Sequence, residues 1–492
     1  MGFLTNPARR RWLVLAVTVA AQFMVILDVA VVNVALPAIK SDLRFSQASL
    51  QWVITAYSLL FGGGLLLGGR LADLLGRRRL FAAGVALFTL SSLLSGLAWS
   101  ETSLIGFRAL QGLGGALLSP AALSILVTTF DEGPDRNRAL GIWGAVSGSG
   151  AAAGVLLGGM LTSYLSWSWI FFVNLPVGAA VLALTPWLLR ESRGAFAHRH
   201  LDVAGAASIT GGLMLLVYAM TRATEHGWGD LATLGPLAAA AALVLAFVVV
   251  ELRSPAPLLP LRIFRLRTLS AANATMLTLG AVVFSEFFLL TLYLQDVLRY
   301  SAIATGVAFV AITASVIIAS NVGQALTTRL GARRVLSAGM VLSATAALLY
   351  ARMPVDGHYF WDVFPAFLVG GIGLALSMVP VTIAGLASVE PADAGVASGL
   401  INTSRQVGGA IGLAAVTTIA TSSTSGYLRS HAGGPDLTAA ALTQGFQAAF
   451  YVLAAVALAG ALIAAVFVAP RPAPAAIDAE AREEVIPLEE AA

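Results

Sequence analysis

Gly69-Arg-Leu-Ala-Asp73-Leu-Leu-Gly76-Arg-Arg-Arg-Leu80 returns in register, 255 residues later, as Gln324-Ala-Leu-Thr-Thr-Arg-Leu-Gly331-Ala-Arg-Arg334-Val335. Leu71 pairs with Leu326, Gly76 with Gly331, Arg78 with Arg333 and Arg79 with Arg334. Each copy is a short basic turn between two long apolar runs. Self-similarity at a fixed displacement marks a chain built twice from one unit.

Working outward from these turns, the apolar runs are too long and too free of charge for a soluble fold. Hydrophobic residues make up 58% of the 492 and charged residues 11%, where a soluble domain carries about 25% charge. A hydrocarbon core takes ~20 apolar residues per helical span, and helices satisfy every backbone polar group within their own segment. Cutting at charged or Gly/Pro-rich breaks predicts an all-α integral membrane protein of fourteen spans. Six lie at 13–39, 48–69, 81–99, 103–128, 139–163 and 169–189, two at 203–221 and 231–250, and six at 268–297, 303–327, 335–352, 360–387, 394–420 and 446–468.

The basic residues test that count, because cytoplasmic loops collect them. With the N-terminus inside, 21 of the 29 arginines and lysines fall in cytoplasmic segments, 6 in outer loops, and 2 (Arg108 and Arg405) within spans. Both termini are thus expected in the cytoplasm. The division read from the sequence is a cytoplasmic N-terminus (1–12), a six-helix bundle (13–189), a two-helix insert with its loops (190–267), a second six-helix bundle (268–469) and a disordered cytoplasmic tail (470–492), Pro/Ala-rich and then acidic.

Several function classes drop out. The net charge of +4 comes from arginines scattered among short loops, with Lys40 the only lysine, so no nucleic-acid-binding patch forms. Without cysteine there are no disulfides, thiolate metal sites or cysteine nucleophiles. The five histidines fall in loops or at helix ends with no metal-site spacing, and no metal or cofactor is expected. Arg9–Arg11 precede an apolar run that is too long for a signal-peptide core and carries Asp28 and Asn33, so it reads as a retained first span. No phosphate-cradling loop or nucleophile–base pair suggests an enzyme, and no loop is large enough for a sensor domain.

The stretch Gly69–Leu80 resembles the signature loop between helices 2 and 3 of the major facilitator superfamily. Gly69 and Gly76 allow close backbone approach, and Asp73 is read as sitting near a helix N-terminus, where negative charge is favoured. Arg77–Arg79 are expected to face the anionic inner leaflet. The resemblance implies that this loop, with Gly69, Asp73, Gly76, Arg77 and Arg78, tunes a conformational switch. Leu27-Asp28-Val-Ala-Val-Val-Asn33-Val-Ala-Leu-Pro37 looks like the first-helix motif of the 14-span drug:proton antiporter branch. Phe107-Arg108-Ala-Leu-Gln111-Gly112-Leu-Gly114 resembles its helix-4 motif, whose arginine the family ties to proton transfer. Gly141, Gly150, Gly154, Gly158 and Gly159 have the spacing of the helix-5 antiporter motif, although Val155 stands where a proline is usual. These glycines predict a small-residue seam for close helix packing. Trp167–Gly178 and Ala394–Gly412 also look like that branch, and the resemblance runs from about 12 to 468.

Four charges sit well inside spans: Asp28, Arg108, Glu286 and Arg405. Each costs about 2.5–3.5 kcal/mol at a helix centre by insertion scales, so each is expected to face a wet cavity and to have a use. Asp28 and Glu286 are 258 residues apart, close to the loop repeat, and are expected to face one another across the cavity. Asp28 is the candidate proton carrier with Arg108 as its partner, against the alternative of a permanent ion pair. Glu286 is a candidate substrate contact or a second proton site. Arg405 is either a structural residue or a contact for a substrate anion. Asn33, Gln51, Trp52, Tyr57, Gln111, Tyr293, Gln295, Asn402 and Gln406 are candidate cavity linings, an aromatic and amide wall suited to amphipathic ligands.

These readings converge on proton-coupled export of small drugs or antibiotics by alternating access, with a midplane site between repeated halves. The alternative within the same fold is export of an endogenous metabolite such as a siderophore, lipid-like compound or amino-acid derivative. The expected partners are the small-molecule substrate, protons and the lipid bilayer, with no nucleic acid. A monomer in the plasma membrane is the expected state.

Overall fold

The computed structural model describes residues 7–45, 50, 52–131, 133–193, 202–254, 257–387, 389–390, 393–431 and 437–470. Residues 1–6 and the tail from 471 onward lie outside the described residues, as does Gln51. The described chain runs through α1 (Pro7–Leu43), α2 (Trp52–Leu75), α3 (Arg77–Gly96), α4 (Glu101–Thr129), α5 (Pro134–Tyr164) and, after the short helix Trp169–Phe172, α6 (Asn174–Leu188). Then come α7 (Val203–His226), α8 (Leu231–Arg253), α9 (Arg267–Leu292), α10 (Ala302–Leu330), α11 (Ala332–Tyr350), α12 (Phe364–Leu386), α13 (Ala394–Ser430) and α14 (Leu437–Phe467).

Among the described residues, 13 helical segments are long and apolar enough to cross a membrane. The expected fourteen spans differ from this tally only at α5. That helix is unbroken over 31 residues, about 46 Å at 1.5 Å per residue, and its Ala153–Tyr164 portion is apolar.

The internal repeat is also a repeat of packing. Within the first half α1 packs on α4, α5 and α6, α2 on α4, and α3 on α4 and α6. Within the second half α9 packs on α12, α13 and α14, α10 on α12, and α11 on α12 and α14. The two basic turns match in backbone as well. Gly76 (φ 112°) precedes α3 and Gly331 (φ 84°) precedes α11, a left-handed conformation that glycine adopts without a Cβ penalty. The halves meet where α2 crosses α13 and where α5 crosses α10.

The hairpin α7–α8 stands outside this symmetry. α7 lies against α2 and α13, and α8 packs on α7. Met214 of α7 fits over Gly63, Tyr218 approaches Trp52 with ring centroids 6.0 Å apart, and the Trp228 indole donates to Thr418 at 2.7 Å. Leu231, Leu245 and Leu252 on α8 are exposed, as a helix at the lipid boundary would leave them.

Helix α5 explains why its glycines are spaced as they are. A Cβ on Gly150, Gly154 or Gly158 would meet Ile26, Ala30 or Val31 of α1 at 2.6, 2.5 and 3.0 Å. Gly141 and Gly159 instead face Gln324 and Ile303 of α10, at 3.0 and 3.4 Å. One helix therefore carries two small-residue faces, one toward its own half and one toward the other. Gly408 and Gly412, 258 residues after Gly150 and Gly154, press in the same way on Leu277 and Ala281 of α9.

Candidate functional site

Asp28 is 0% and Arg108 1% exposed, and they form an ion pair at 2.5 Å between α1 and α4. Two amides complete the shell of the carboxylate: Gln111 donates to Oδ1 at 2.8 Å and Asn174 of α6 to the same oxygen at 3.0 Å. Gln111 lies three residues after Arg108, on the same helical face, and its carbonyl accepts from Arg108 at 2.7 Å. Arg108 also donates to the Val53 carbonyl at 3.2 Å and lies 4.3 Å above the Tyr57 ring. The Asn174 amide donates to Ser92 at 3.0 Å, and Ser92 donates to the Phe171 carbonyl at 2.9 Å. This site lies wholly within the first half.

Glu286 occupies the equivalent place in the second half. Its carboxyl lies against the Tyr350 hydroxyl, whose proton is donated to the Ala366 carbonyl at 3.1 Å. Asp28 and Glu286 therefore do not face one another across a cavity. Each is engaged inside its own bundle, because the partners that satisfy it sit on helices of that bundle.

The other candidate linings separate into groups. Asn402 lines a small cavity between the halves, together with Leu123, Trp143, Met276, Met378 and Arg405. Tyr57 is buried, with its hydroxyl within electrostatic reach of Asp28, Arg108 and Arg405. Asn33 is exposed and bonds the Val29 carbonyl of its own helix at 2.9 Å. Trp52 turns toward α7. Tyr293 donates to the Pro354 carbonyl at 2.6 Å, which holds it near the end of the second half. These three therefore have local partners: the Val29 carbonyl, Tyr218 and the Pro354 carbonyl.

At the end carrying Gly69–Leu80, Asp73 is 0% exposed and accepts from Arg77 at 2.7 Å. Its other oxygen accepts the Val396 N–H at 3.2 Å. The helix N-terminus that Asp73 addresses is thus that of α13, in the other half. Arg77, 2% exposed, turns inward to Asp73 and away from any lipid headgroup, while Arg78 and Arg79 pair with Glu191 at 3.7 and 3.6 Å. Gly69 and Gly395 let the two backbones touch. At the symmetry-related crossing, Thr328 stands in the Asp73 position and accepts from Asn137 of α5 at 3.2 Å.

The Major Facilitator Superfamily family model matches residues 18–413. The chain belongs to the Major Facilitator Superfamily. Among its superfamily relatives, the puromycin resistance protein pur8 of Streptomyces alboniger is 40% identical over 469 residues, 95% of this chain and 93% of that protein. The cephamycin export protein CmcT of Amycolatopsis lactamdurans is 44% identical over 428 residues, 86% and 87% of the two chains. The tetracenomycin C resistance and export protein of Streptomyces glaucescens is 38% identical over 407 residues, 82% and 75%. The crystal structure of the human organic anion transporter MFSD10 superposes with a TM-score of 0.64 at 16% identity, covering 94% of this chain and 100% of that one, a likeness of fold. This superfamily member is accordingly a multi-pass membrane transporter whose relatives export or resist antibiotics.

Asn174 in the Asp28 shell, and Ser92 behind it, escape a reading of the sequence as individual residues. Asn174 is a lone amide in the apolar stretch Ile170–Pro176, and that isolation is the signal that could have found it. Ser92 sits beside another serine in an ordinary apolar helix and carries no such signal.

Proposed function

We propose that this chain exports small amphipathic drugs or antibiotics across the bacterial plasma membrane in exchange for protons. In this reading it is a monomer with fourteen spans and both termini cytoplasmic. Bundles 13–189 and 268–469 rock about a central site, with 190–267 as an insert. The basic turn at Gly69–Leu80 is then cytoplasmic, and the bundles are closed at that end.

The single observation that carries the reading is the Asp28 shell. A fully buried carboxylate is normally neutralised permanently, since breaking a buried pair costs about 3–5 kcal/mol. Arg108 has other places to put its charge: the Gln111 carbonyl oxygen, the Val53 carbonyl and the face of Tyr57. A proton on Asp28 therefore does not strand the guanidinium. The carboxyl can cycle between an ion-paired and a protonated state while α1 and α4 shift against each other. The named exporters among the relatives support antibiotics as the substrate class.

Proteoliposomes with an imposed pH gradient and, in parallel, a cationic and an anionic amphipathic fluorescent dye as substrates test this. Uphill dye movement that nigericin abolishes is the expected result; movement that only follows the dye gradient refutes proton coupling.

A further inference from the structure

The cavity between the halves holds a cation that no described carboxylate neutralises. Arg405 of α13 makes one hydrogen bond, at 3.5 Å to the Asn402 side chain. The carboxylates of the spans are engaged elsewhere: Asp28 by Arg108, Gln111 and Asn174, Asp73 by Arg77, Glu251 by the Leu258 and Leu259 N–H groups, and Glu286 beside Tyr350. Arginines that tie helices together in this chain bond backbone carbonyls, as Arg108 does at Val53 and Arg136 at Leu386, 2.9 Å away. Arg405 makes no such bond among the described residues, so its guanidinium fork is left facing the cavity.

An unpaired guanidinium at membrane depth is costly, and its planar fork matches a carboxylate or similar oxyanion in a bidentate pair. The remaining walls are Trp143, Met276, Met378, Leu123 and Ile401 with the Thr382 hydroxyl, around a volume of about 10 Å³ that widens to admit a ligand as the bundles part. Thioethers and an indole conform to a flat or irregular hydrophobic body. Resting on the export function proposed above, we propose that this cavity selects amphipathic organic anions. Their acidic group sits on Arg405 and Asn402, and their apolar body packs on Trp143, Met276 and Met378. Tyr57 joins the two sites, since its ring lies under Arg108 and its hydroxyl is within electrostatic reach of both Arg405 and Asp28.

The test is equilibrium binding to the purified, detergent-solubilised full chain, read by thermal shift at pH 8. The probes are 1-naphthylacetic acid, ionised at that pH, and its uncharged isostere 1-naphthylacetamide. Wild type is expected to bind the acid roughly tenfold more tightly than the amide, the worth of one charge-assisted contact. Arg405→Gln should bring the two to parity, and Arg405→Lys should retain part of the preference. Equal binding of acid and amide by wild type overturns the proposal without any variant. Binding of neither probe, or a preference that survives in Arg405→Gln, also overturns it. Failure of proton coupling would instead appear in the proteoliposome flux and leave this equilibrium preference intact.

Discussion

The Asp73 carboxylate accepts the backbone N–H of Val396 at 3.2 Å, across 323 residues of chain and across the boundary between the two halves. Its other oxygen is held by Arg77, the first residue of α3, in the same half. If the bundles separate at this end, the Val396 bond must break while the Arg77 pair travels intact. Negative charge at the first turn of α13 is also favourable in itself. Asp73 thus acts as a latch whose charge is balanced on one side and whose hold is made on the other.

Asp73→Asn should weaken that latch. A hydrogen bond to a charged acceptor contributes about 1.5–3 kcal/mol against about 1 for a neutral one, so the open population at this end should rise severalfold. The cysteine-free chain allows spin labels at Leu75→Cys and Glu390→Cys without background. A longer distance component in Asp73→Asn is expected; unchanged distances would show that Asp73 does not hold the halves together.

Stability should report the Asp28–Arg108 pair as a coupled unit. Arg108→Gln alone is expected to lower stability by about 3–5 kcal/mol, because it leaves a buried carboxylate without its counter-charge. Adding Asp28→Asn should recover part of that loss. Thermal unfolding of the four proteins in a double-mutant cycle checks this, and strictly additive effects would mean that the pair carries no interaction energy of its own.

Asn174 separates amide donation from simple packing. Asn174→Ala removes one donor to Asp28 and one to Ser92, and should reduce export severalfold with the protein still inserted. Asn174→Asp keeps the shape but places a second carboxylate beside Asp28, so it should be the more damaging change. Export rates normalised to membrane-inserted protein measure both; a milder effect for Asp than for Ala would contradict the site.

Membrane potential should distinguish substrates by charge. Exchanging a monovalent anion for one proton moves two charges, and an uncharged substrate moves one, each worth about 2.3 kcal/mol per 100 mV. In proteoliposomes under valinomycin potentials, 1-naphthylacetate export should respond more steeply than amide export. Equal voltage dependence would argue against one-proton exchange of the anion.

The helical membrane architecture and the doubled turn are legible in the sequence because lipid leaves few alternatives: apolar length sets spans, and Gly76 and Gly331 mark the same backbone bend. The contact between Asp28 and Arg108 is legible for a similar reason, since so few buried charges must find partners among themselves. Much of the rest depends on which helix lies beside which. Asp73 bonds a backbone N–H at Val396, a group that no side-chain pattern advertises. Arg77 looks like its neighbours Arg78 and Arg79, yet it turns inward. Trp52 and Tyr293 are drawn off by α7 and by the Pro354 carbonyl, and Glu286 finds Tyr350 inside its own bundle. Spacing places a residue on a face of a helix, and packing decides what that face meets.

The central claim, that Asp28 carries the coupled proton, is tested most directly in energised everted vesicles that record dye movement and proton release together. Wild type and Glu286→Gln should both show substrate-dependent proton release, and Asp28→Asn should show none while remaining in the membrane. Proton release that persists in Asp28→Asn would place the coupling proton elsewhere and reduce the Asp28–Arg108 pair to a structural tie.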